Sequence, residues 1–196
     1  MALKRFTIDG YGQIELNQCA FRRDGRIEAQ CALYDQEFAK NQAEYVGGKI
    51  YAENGMILAV DNINRVVRLP GAEAADLPLA INYSTEHLYD ERHQGLKDFY
   101  LPAGTFYPRL GYLSRGDKFT TNCLCYDSDE FTDDEALIKE LEKLNEPEKI
   151  KEVKIYGKHS ALGAIQLTKN KADAEMLVVK YYTMPDGQPG VKFQVL

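Results

Sequence analysis

Two glycine-rich stretches are the first candidates for chemistry, because glycine loops can cradle phosphate groups. Gly47–Lys49 matches part of a nucleoside-triphosphate loop, but the motif needs glycine and Ser or Thr where this chain has Ala43 and Ile50. Gly10–Gly12 matches the start of a dinucleotide loop, but the third glycine is replaced by Glu15, whose carboxylate would repel a pyrophosphate. We interpret both stretches as turn or strand-entry segments and predict no cofactor-binding residues.

Metal-ligating residue types occur in two places. Cys123 and Cys125 would share one face of a strand, but no Cys-x-x-Cys or paired His accompanies them, which favours buried structural thiols. The second place holds two imidazoles and two carboxylates, His87, Asp90, Glu91 and His93. Such a set could hold zinc or iron, but no periodicity places the four side chains on a common face, so we interpret them as solvated loop residues.

A run of acids precedes the strongest helix signal. It comprises Asp127, Asp129, Glu130, Asp133, Asp134 and Glu135. A calcium loop of the helix-loop-helix type would need a glycine at its sixth position and a closing glutamate, which are missing. Helix-start chemistry accounts for three of the acids, so we predict no metal site here.

No catalytic motif stands out. Arg115-Gly116-Asp117 spells a cell-adhesion tripeptide, but Ser-Arg-Gly-Asp is also ordinary turn chemistry, which we favour. Neither Gly-x-Ser-x-Gly nor His-Glu-x-x-His occurs, and nothing singles out one of the three histidines. We therefore predict a non-enzymatic protein with no catalytic residues.

Composition narrows the class of protein. The 196 residues suit a single β-rich domain, and 24 Lys and Arg against 30 Asp and Glu give a net charge of −6, which disfavours binding to nucleic acid. The longest clean apolar run, Gly55–Val60, is far shorter than a membrane span, so no membrane partner is expected. Lys4 and Arg5 are not followed by the apolar core of a secretory signal. We expect synthesis in a cytoplasm and free thiols at all four cysteines.

The elements expected to position these residues are mainly β, with antiparallel hairpins and a meander forming a sandwich or a partly open barrel. Asp24-Gly25 predicts a hairpin over 12–34, whose register puts Cys19 and Cys31 on opposite faces. Residues 35–48 are read as a short helix or a loop. Asn54-Gly55 predicts a hairpin between 49–53 and 56–60, continued by 65–69, with 56–60 central and covered on both faces. Further strands are expected at 79–83, 109–113, 117–126, 152–156, 162–167, 175–183 and 191–196, with 109–113 and 117–126 forming a hairpin.

One α-helix interrupts the strands. Thr132-x-x-Glu135 is a capping box, and Leu137, Ile138, Leu141 and Leu144 follow at helical spacing. The acidic linker and helix at 127–150 form a candidate boundary before a C-terminal β lobe, 151–196. Pro185-Asp186-Gly187 predicts the turn of the last hairpin.

The stretch 49–126 resembles small structural proteins encoded among the head genes of tailed bacteriophages. Three segments give the resemblance: GKIYAENGMILAVDNINRVVRLP, LPLAINYSTEHLYDERHQGLKDFYLP and FYPRLGYLSRGDKFTTNCLCYD. The resemblance implies a protein of the virion that decorates or stabilises a capsid by contacts with capsid or other virion proteins, and with copies of itself.

The segment 84–108 is the candidate contact surface, because it has no regular period and is rich in aromatic residues. Five rings are the predicted partner contacts: Tyr89, Phe99, Tyr100, Phe106 and Tyr107. Packing of the same rings on the chain's own sheet is the alternative. A second function stays open, a β-barrel-like module for a small molecule or glycan, which a deep cavity lined by these rings would favour.

Overall fold

A computed structural model describes residues 3–21, 27–29, 33–34, 51–84, 99–102, 108–149 and 153–196. The strands are β1 (Leu3–Arg5), β2 (Ile14–Gln18), β3 (Ile27–Ala29), β4 (Leu33–Tyr34), β5 (Tyr51–Ala52), β6 (Ile57–Asp61), β7 (Val66–Arg68), β8 (Leu79–Asn82), β9 (Leu101–Pro102), β10 (Arg109–Gly111), β11 (Lys118–Thr121), β12 (Leu124–Asp127), β13 (Tyr156–Lys158), β14 (Ile165–Thr168), β15 (Met176–Thr183) and β16 (Pro189–Val195). The helix α1 spans Asp134–Glu142, and short 3₁₀ turns cover Ala72–Ala74 and Lys143–Asn145.

The described strands form two large sheets and one short pair. The eight-stranded sheet has the order β1-β12-β14-β13-β15-β16-β11-β2, and the six-stranded sheet has the order β3-β10-β8-β6-β7-β4. β5 pairs with β9. Most pairs are antiparallel, while β12–β14 and β4–β7 are parallel. The prediction of a mainly β fold with one helix is confirmed, and the sheets stay open rather than closing into a barrel.

The eight-stranded sheet must curl strongly. β11 and β12 lie near opposite ends of its order, yet only Asn122 and Cys123 separate them along the chain. Three peptide steps span at most about 10 Å, so the two ends of the order lie close together. Strands from both sides of the predicted 127–150 boundary belong to this one sheet, since β1, β2, β11 and β12 join β13–β16.

The described residues form two hydrophobic clusters. In the first, Leu137 and Leu141 of α1 pack with one face of the eight-stranded sheet, including Phe193. In the second, the other face of that sheet, through Cys123 and Cys125, packs with the six-stranded sheet. β6 is buried along its whole length and lies between β8 and β7, which confirms the prediction of a central strand covered on both faces.

Three predicted hairpins are wrong. β2 pairs with β11 in the larger sheet, whereas β3 pairs with β10 in the smaller one. The turn at Asn54-Gly55 forms, but β5 pairs with β9 instead of β6. β10 and β11 also belong to different sheets, and β11 ends before Asn122. In the first and third cases the second strand of the expected hairpin pairs with strands that are distant in sequence. In the second case it is the first strand, β5, that has a distant partner.

Other local predictions are confirmed. β6 and β7 pair through the turn at 62–65, β15 and β16 pair through the turn at Asp186-Gly187, and Arg115-Gly116 is a turn. The helix starts one residue later than the capping box indicates, because Asp133 is the N-cap and its Oδ1 accepts from the Ala136 N–H at 2.8 Å. The predicted segment 35–48 and the turn Asp24-Gly25 lie outside the described residues.

Candidate functional site

A partly buried ion pair forms the junction between β1 of the eight-stranded sheet and the turn that follows β5. Arg5 on β1 donates from Nη2 to Glu53 Oε2 at 2.9 Å and from Nη1 to Cys123 Sγ at 3.1 Å. The same Glu53 oxygen accepts from the Gly12 N–H at 2.8 Å. Burial lowers the pKa of the Arg5 guanidinium, but Cys123 and the Glu53 carboxylate outweigh that effect and raise it above its usual value. Arg5 therefore stays charged and holds the junction together.

The turn after β5 is locked to its neighbours by buried hydrogen bonds. Asn82, which is fully buried, donates from Nδ2 to Glu53 O at 2.9 Å, and its backbone carbonyl accepts from the Gly55 N–H at 2.9 Å. Gly55 has φ +86°, and a Cβ there would overlap Thr121 Oγ1. Only glycine fits this position, because the left-handed backbone and the close approach both exclude a side chain.

The stretch Gly10–Gly12 has a structural role here. Gly10 has φ +78°, which glycine adopts readily. A Cβ on Gly12 would lie 2.6 Å from Asn54 O, so the close approach that lets its N–H reach Glu53 needs glycine. Gly47–Lys49 lies outside the described residues.

The three described cysteines are buried, and none of them forms a disulfide with another described residue: Cys19, Cys123 and Cys125. Cys123 and Cys125 share one face and pack in the second hydrophobic cluster, as predicted from their spacing. Burial raises the pKa of Cys125 to about 12, so this thiol is protonated at neutral pH and is a poor nucleophile. Cys31 lies outside the described residues, and the register argument that separated it from Cys19 fails with the first hairpin.

Carboxylates of the acidic run accept hydrogen bonds from backbone and side-chain groups nearby. Asp127 Oδ1 accepts from the Asp129 N–H at 3.0 Å, and Glu130 accepts from Thr168 Oγ1 at 2.7 Å. Asp134 accepts from Tyr126 Oη at 2.7 Å. Burial, followed by the bond to Asp134, raises the pKa of Tyr126. Among the residues that the structure describes, no three His, Cys, Asp or Glu side chains come together in a way that could hold a metal ion.

The His and carboxylate cluster at 87–93 lies outside the described residues, as do three of the predicted contact residues, Tyr89, Phe106 and Tyr107. Phe99 packs in the second hydrophobic cluster, so its ring is used inside the chain. Tyr100 is half-buried and packs against Tyr11, with ring centroids 4.6 Å apart and ring planes tilted by 39°. Of the two predicted rings that the structure describes, Tyr100 is therefore the one that lies partly at the surface.

Two polar groupings were not predicted from the sequence. His159 Nδ1 and Glu175 Oε1 lie 2.5 Å apart, and this hydrogen bond raises the pKa of His159. Tyr182 Oη donates to Glu15 Oε2 at 2.5 Å, joining β15 to β2 across the larger sheet. No local signal could have shown either pair, because 16 and 167 residues separate the partners.

In the described part of the chain, no helix is long and apolar enough to cross a bilayer. In comparisons with protein-family models, curated proteins and solved structures, nothing matches this chain.

Proposed function

We propose that this chain is a non-enzymatic structural protein of a bacteriophage particle, which decorates or stabilises the capsid by binding other virion proteins. The proposal is supported by the engagement of side chains of reactive type in contacts within the fold. Glu53 is committed to an internal ion pair, Cys125 is buried and protonated, and Asp134 holds the start of α1. Side chains committed in this way stabilise a fold and are poorly placed to act on a substrate.

The half-exposed pair of Tyr11 and Tyr100 supports a contact with another protein. Tyrosine combines an apolar ring with a polar tip and is enriched where proteins meet. Tyr100 itself belongs to the aromatic segment 84–108, of which the structure describes 84, 99–102 and 108. The resemblance of 49–126 to phage head proteins supports a capsid as the partner and the virion as the location, after synthesis in the host cytoplasm.

The alternative, a β-barrel-like module for a small molecule or glycan, has less support. Such a module binds its ligand inside a closed barrel or at its mouth. The described sheets are open, with β1 and β2 as the end strands of the larger one. No observation on the described residues favours this alternative over an assembly role.

The proposal is tested by purifying particles from the phage or prophage that encodes the chain. We expect the protein in particles at a fixed ratio to the major capsid protein after separation by density. A second arm adds purified protein to particles that lack it, and compares the wild type with Tyr100→Ser. The matched control is Tyr181→Ser, since Tyr181 is another half-buried tyrosine but lies on β15.

Tyr100→Ser should weaken particle binding while Tyr181→Ser leaves it unchanged, with the thermal stability of both variants measured to verify folding. Absence of the protein from purified particles would refute the proposal. Equal binding by both variants would remove Tyr100 from the contact surface.

A further inference from the structure

One face of the larger sheet is reached by solvent along β15 and β16. Val178 and Phe193, which are register partners on these two strands, belong to the first hydrophobic cluster. Since side chains alternate along a strand, the preceding pair, Leu177 and Gln194, lies on the other face. Leu177 is 39% exposed and Gln194 is half-buried. We call this other face, over β15, β16, β11 and β2, the open face.

Three lysines of neighbouring strands lie on the open face. Lys180 on β15 is the register partner of Lys192 on β16, whose partner on the other side is Thr120 on β11. Lys118 shares the face of Thr120, because it lies two residues before it on the same strand. Opposite Cβ atoms in such a sheet are about 5 Å apart and diagonal neighbours about 7–8 Å apart, so the three ammonium groups can reach one partner.

This arrangement is unfavourable in the free protein. Like charges directly opposite each other on a sheet destabilise it. Among the residues that the structure describes, none forms an ion pair with Lys118, Lys180 or Lys192. A repulsive pair that is left uncompensated breaks a local rule of sheet stability, which is expected where a surface has a function.

The open face has a local excess of positive charge. The four strands β2, β11, β15 and β16 contain three lysines, no arginine and one acidic residue, Glu15. Glu15 accepts a hydrogen bond from Tyr182 Oη, and Thr120 lies between Glu15 and Lys192 in the register. Glu175, which precedes β15, is hydrogen-bonded to His159. The face is therefore basic in a chain whose net charge is −6.

The surroundings of the lysines favour a protein over a nucleic acid as the anionic partner. Proteins that bind single strands present aromatic rings on which bases stack. On this face Lys180 Nζ lies 5.7 Å from the centroid of the Tyr182 ring, and the hydroxyl of Tyr182 is bonded to Glu15, so the ring is already in use. A long duplex would also meet the negative field of the rest of the chain. A short acidic segment of a protein makes only the local contact.

We propose that the open face binds an extended acidic segment of another protein, whose alternate carboxylates contact Lys118, Lys180 and Lys192. Residues two apart in an extended chain are separated by about 7 Å, which matches the spacing of the lysines. Leu177 supplies an apolar contact at the margin of the face. This inference goes beyond the proposed function, because it assigns a surface other than that of Tyr100 and does not depend on a place in the virion.

The test measures fluorescence anisotropy of a labelled synthetic peptide in which Glu and Thr alternate, with the purified full chain at low and high salt. A peptide of alternating Gln and Thr is the uncharged control, and a labelled oligothymidylate represents nucleic acid. The Glu peptide should bind at low salt and weaken as salt increases, whereas the Gln peptide should not bind.

Two pairs of lysines separate the position of the charge from its amount. Lys180→Gln combined with Lys192→Gln should weaken binding of the Glu peptide by about fivefold or more, from the usual strength of two surface ion pairs. Lys154→Gln combined with Lys171→Gln is the matched control, because these two lysines are exposed and lie outside the four strands. The control has the same net charge and should bind like the wild type.

A further variant separates binding from folding. Lys192→Glu converts the repulsive pair with Lys180 into an attractive one, so it should raise the melting temperature of the free protein at low salt while it abolishes binding of the Glu peptide. A lower melting temperature would contradict the view that the lysine pair is repulsive and would overturn the inference.

Three binding results would also overturn the inference. These are no binding of the Glu peptide at low salt, equal losses in the two double variants, and lysine-dependent binding of oligothymidylate that is tighter than binding of the peptide. The last result would make the open face a nucleic-acid surface. Because the peptide assay and the particle assay are independent, failure of either leaves the other result standing.

Discussion

The ion pair between Arg5 and Glu53 should contribute strongly to stability, and Glu53→Gln tests this directly. The substitution keeps the size of the side chain and an acceptor for the Gly12 N–H, but removes the charge that compensates Arg5. The Glu53 side chain is 3% exposed and that of Arg5 is 22% exposed. Removing one partner of a buried pair costs roughly 3–5 kcal/mol. Because solvent reaches part of Arg5, we expect the lower end, about 3 kcal/mol.

The assay is urea unfolding followed by circular dichroism at neutral pH. For a domain of this size the slope of the unfolding free energy is about 2–3 kcal/mol per molar urea, so the midpoint should fall by roughly 1 M. Glu140→Gln is the matched control, because Glu140 pairs with Lys143 at 2.6 Å but both side chains are about one-third exposed. That change should cost no more than about 0.5 kcal/mol.

A double-mutant cycle tests the cause. Arg5→Met combined with Glu53→Gln removes the stranded charge, so the double variant should recover part of the loss, with a coupling energy of about 1–3 kcal/mol. A cost below about 1 kcal/mol for Glu53→Gln, or a coupling energy near zero, would refute the view that this pair holds the sheet junction together.

Three further outcomes are expected. Gly55→Ala should destabilise the protein by about 3 kcal/mol or more, because the position combines a positive φ with steric overlap. Gly187→Ala is the control and should cost about 1 kcal/mol, because Gly187 has φ +85° but open space where a Cβ would lie. Equal costs for the two variants in urea unfolding would contradict the role of steric overlap. In the folded protein the pKa of His159 is raised and the pKa of Glu175 is lowered. The stabilisation from this pair is therefore greatest between about pH 4.5 and 6.5. It is lost as pH rises through the folded pKa of His159, or as pH falls through the folded pKa of Glu175. The stability difference between wild type and His159→Gln should therefore be largest in that window, and a difference that grows above pH 8 would contradict the assignment. Thiol titration of the denatured, unreduced protein should count all four cysteines, while the three described thiols should react slowly in the native state; a count of two would reveal a disulfide.

Features that depend on local chemistry could be predicted from the sequence. Gly187 and Gly55 mark real turns because a left-handed backbone favours glycine, and the spacing of Leu137 and Leu141 indicates the buried face of a helix. The N-cap was placed at Thr132 instead of Asp133 because two neighbouring residues can both cap a helix and differ only in backbone geometry.

Strand pairing could not be predicted in the same way. A turn motif indicates that the chain bends, but not that the two flanking strands pair with each other. After the turn at Asn54-Gly55 the chain passes from the β5–β9 pair into the six-stranded sheet. The Arg5–Glu53–Cys123 contacts follow from this non-local topology, so residue types and spacing gave no sign of them. The residue type of Tyr100 and its aperiodic segment predict a contact with a partner, which stays a prediction, whereas the packing of Tyr100 against Tyr11 follows only from the structure.

The curled eight-stranded sheet also sets the order in which the chain can fold. β1 and β2 pair with β12 and β11, more than one hundred residues later along the chain. β16 then inserts between β15 and β11, so the sheet is incomplete until this strand has left the ribosome. Proteins built from such distant pairs fold in milliseconds to seconds, much more slowly than helical bundles. During synthesis β1 and β2 therefore lack their sheet partners until β11 and β12 have been made, and unpaired strand edges of this kind are prone to aggregate.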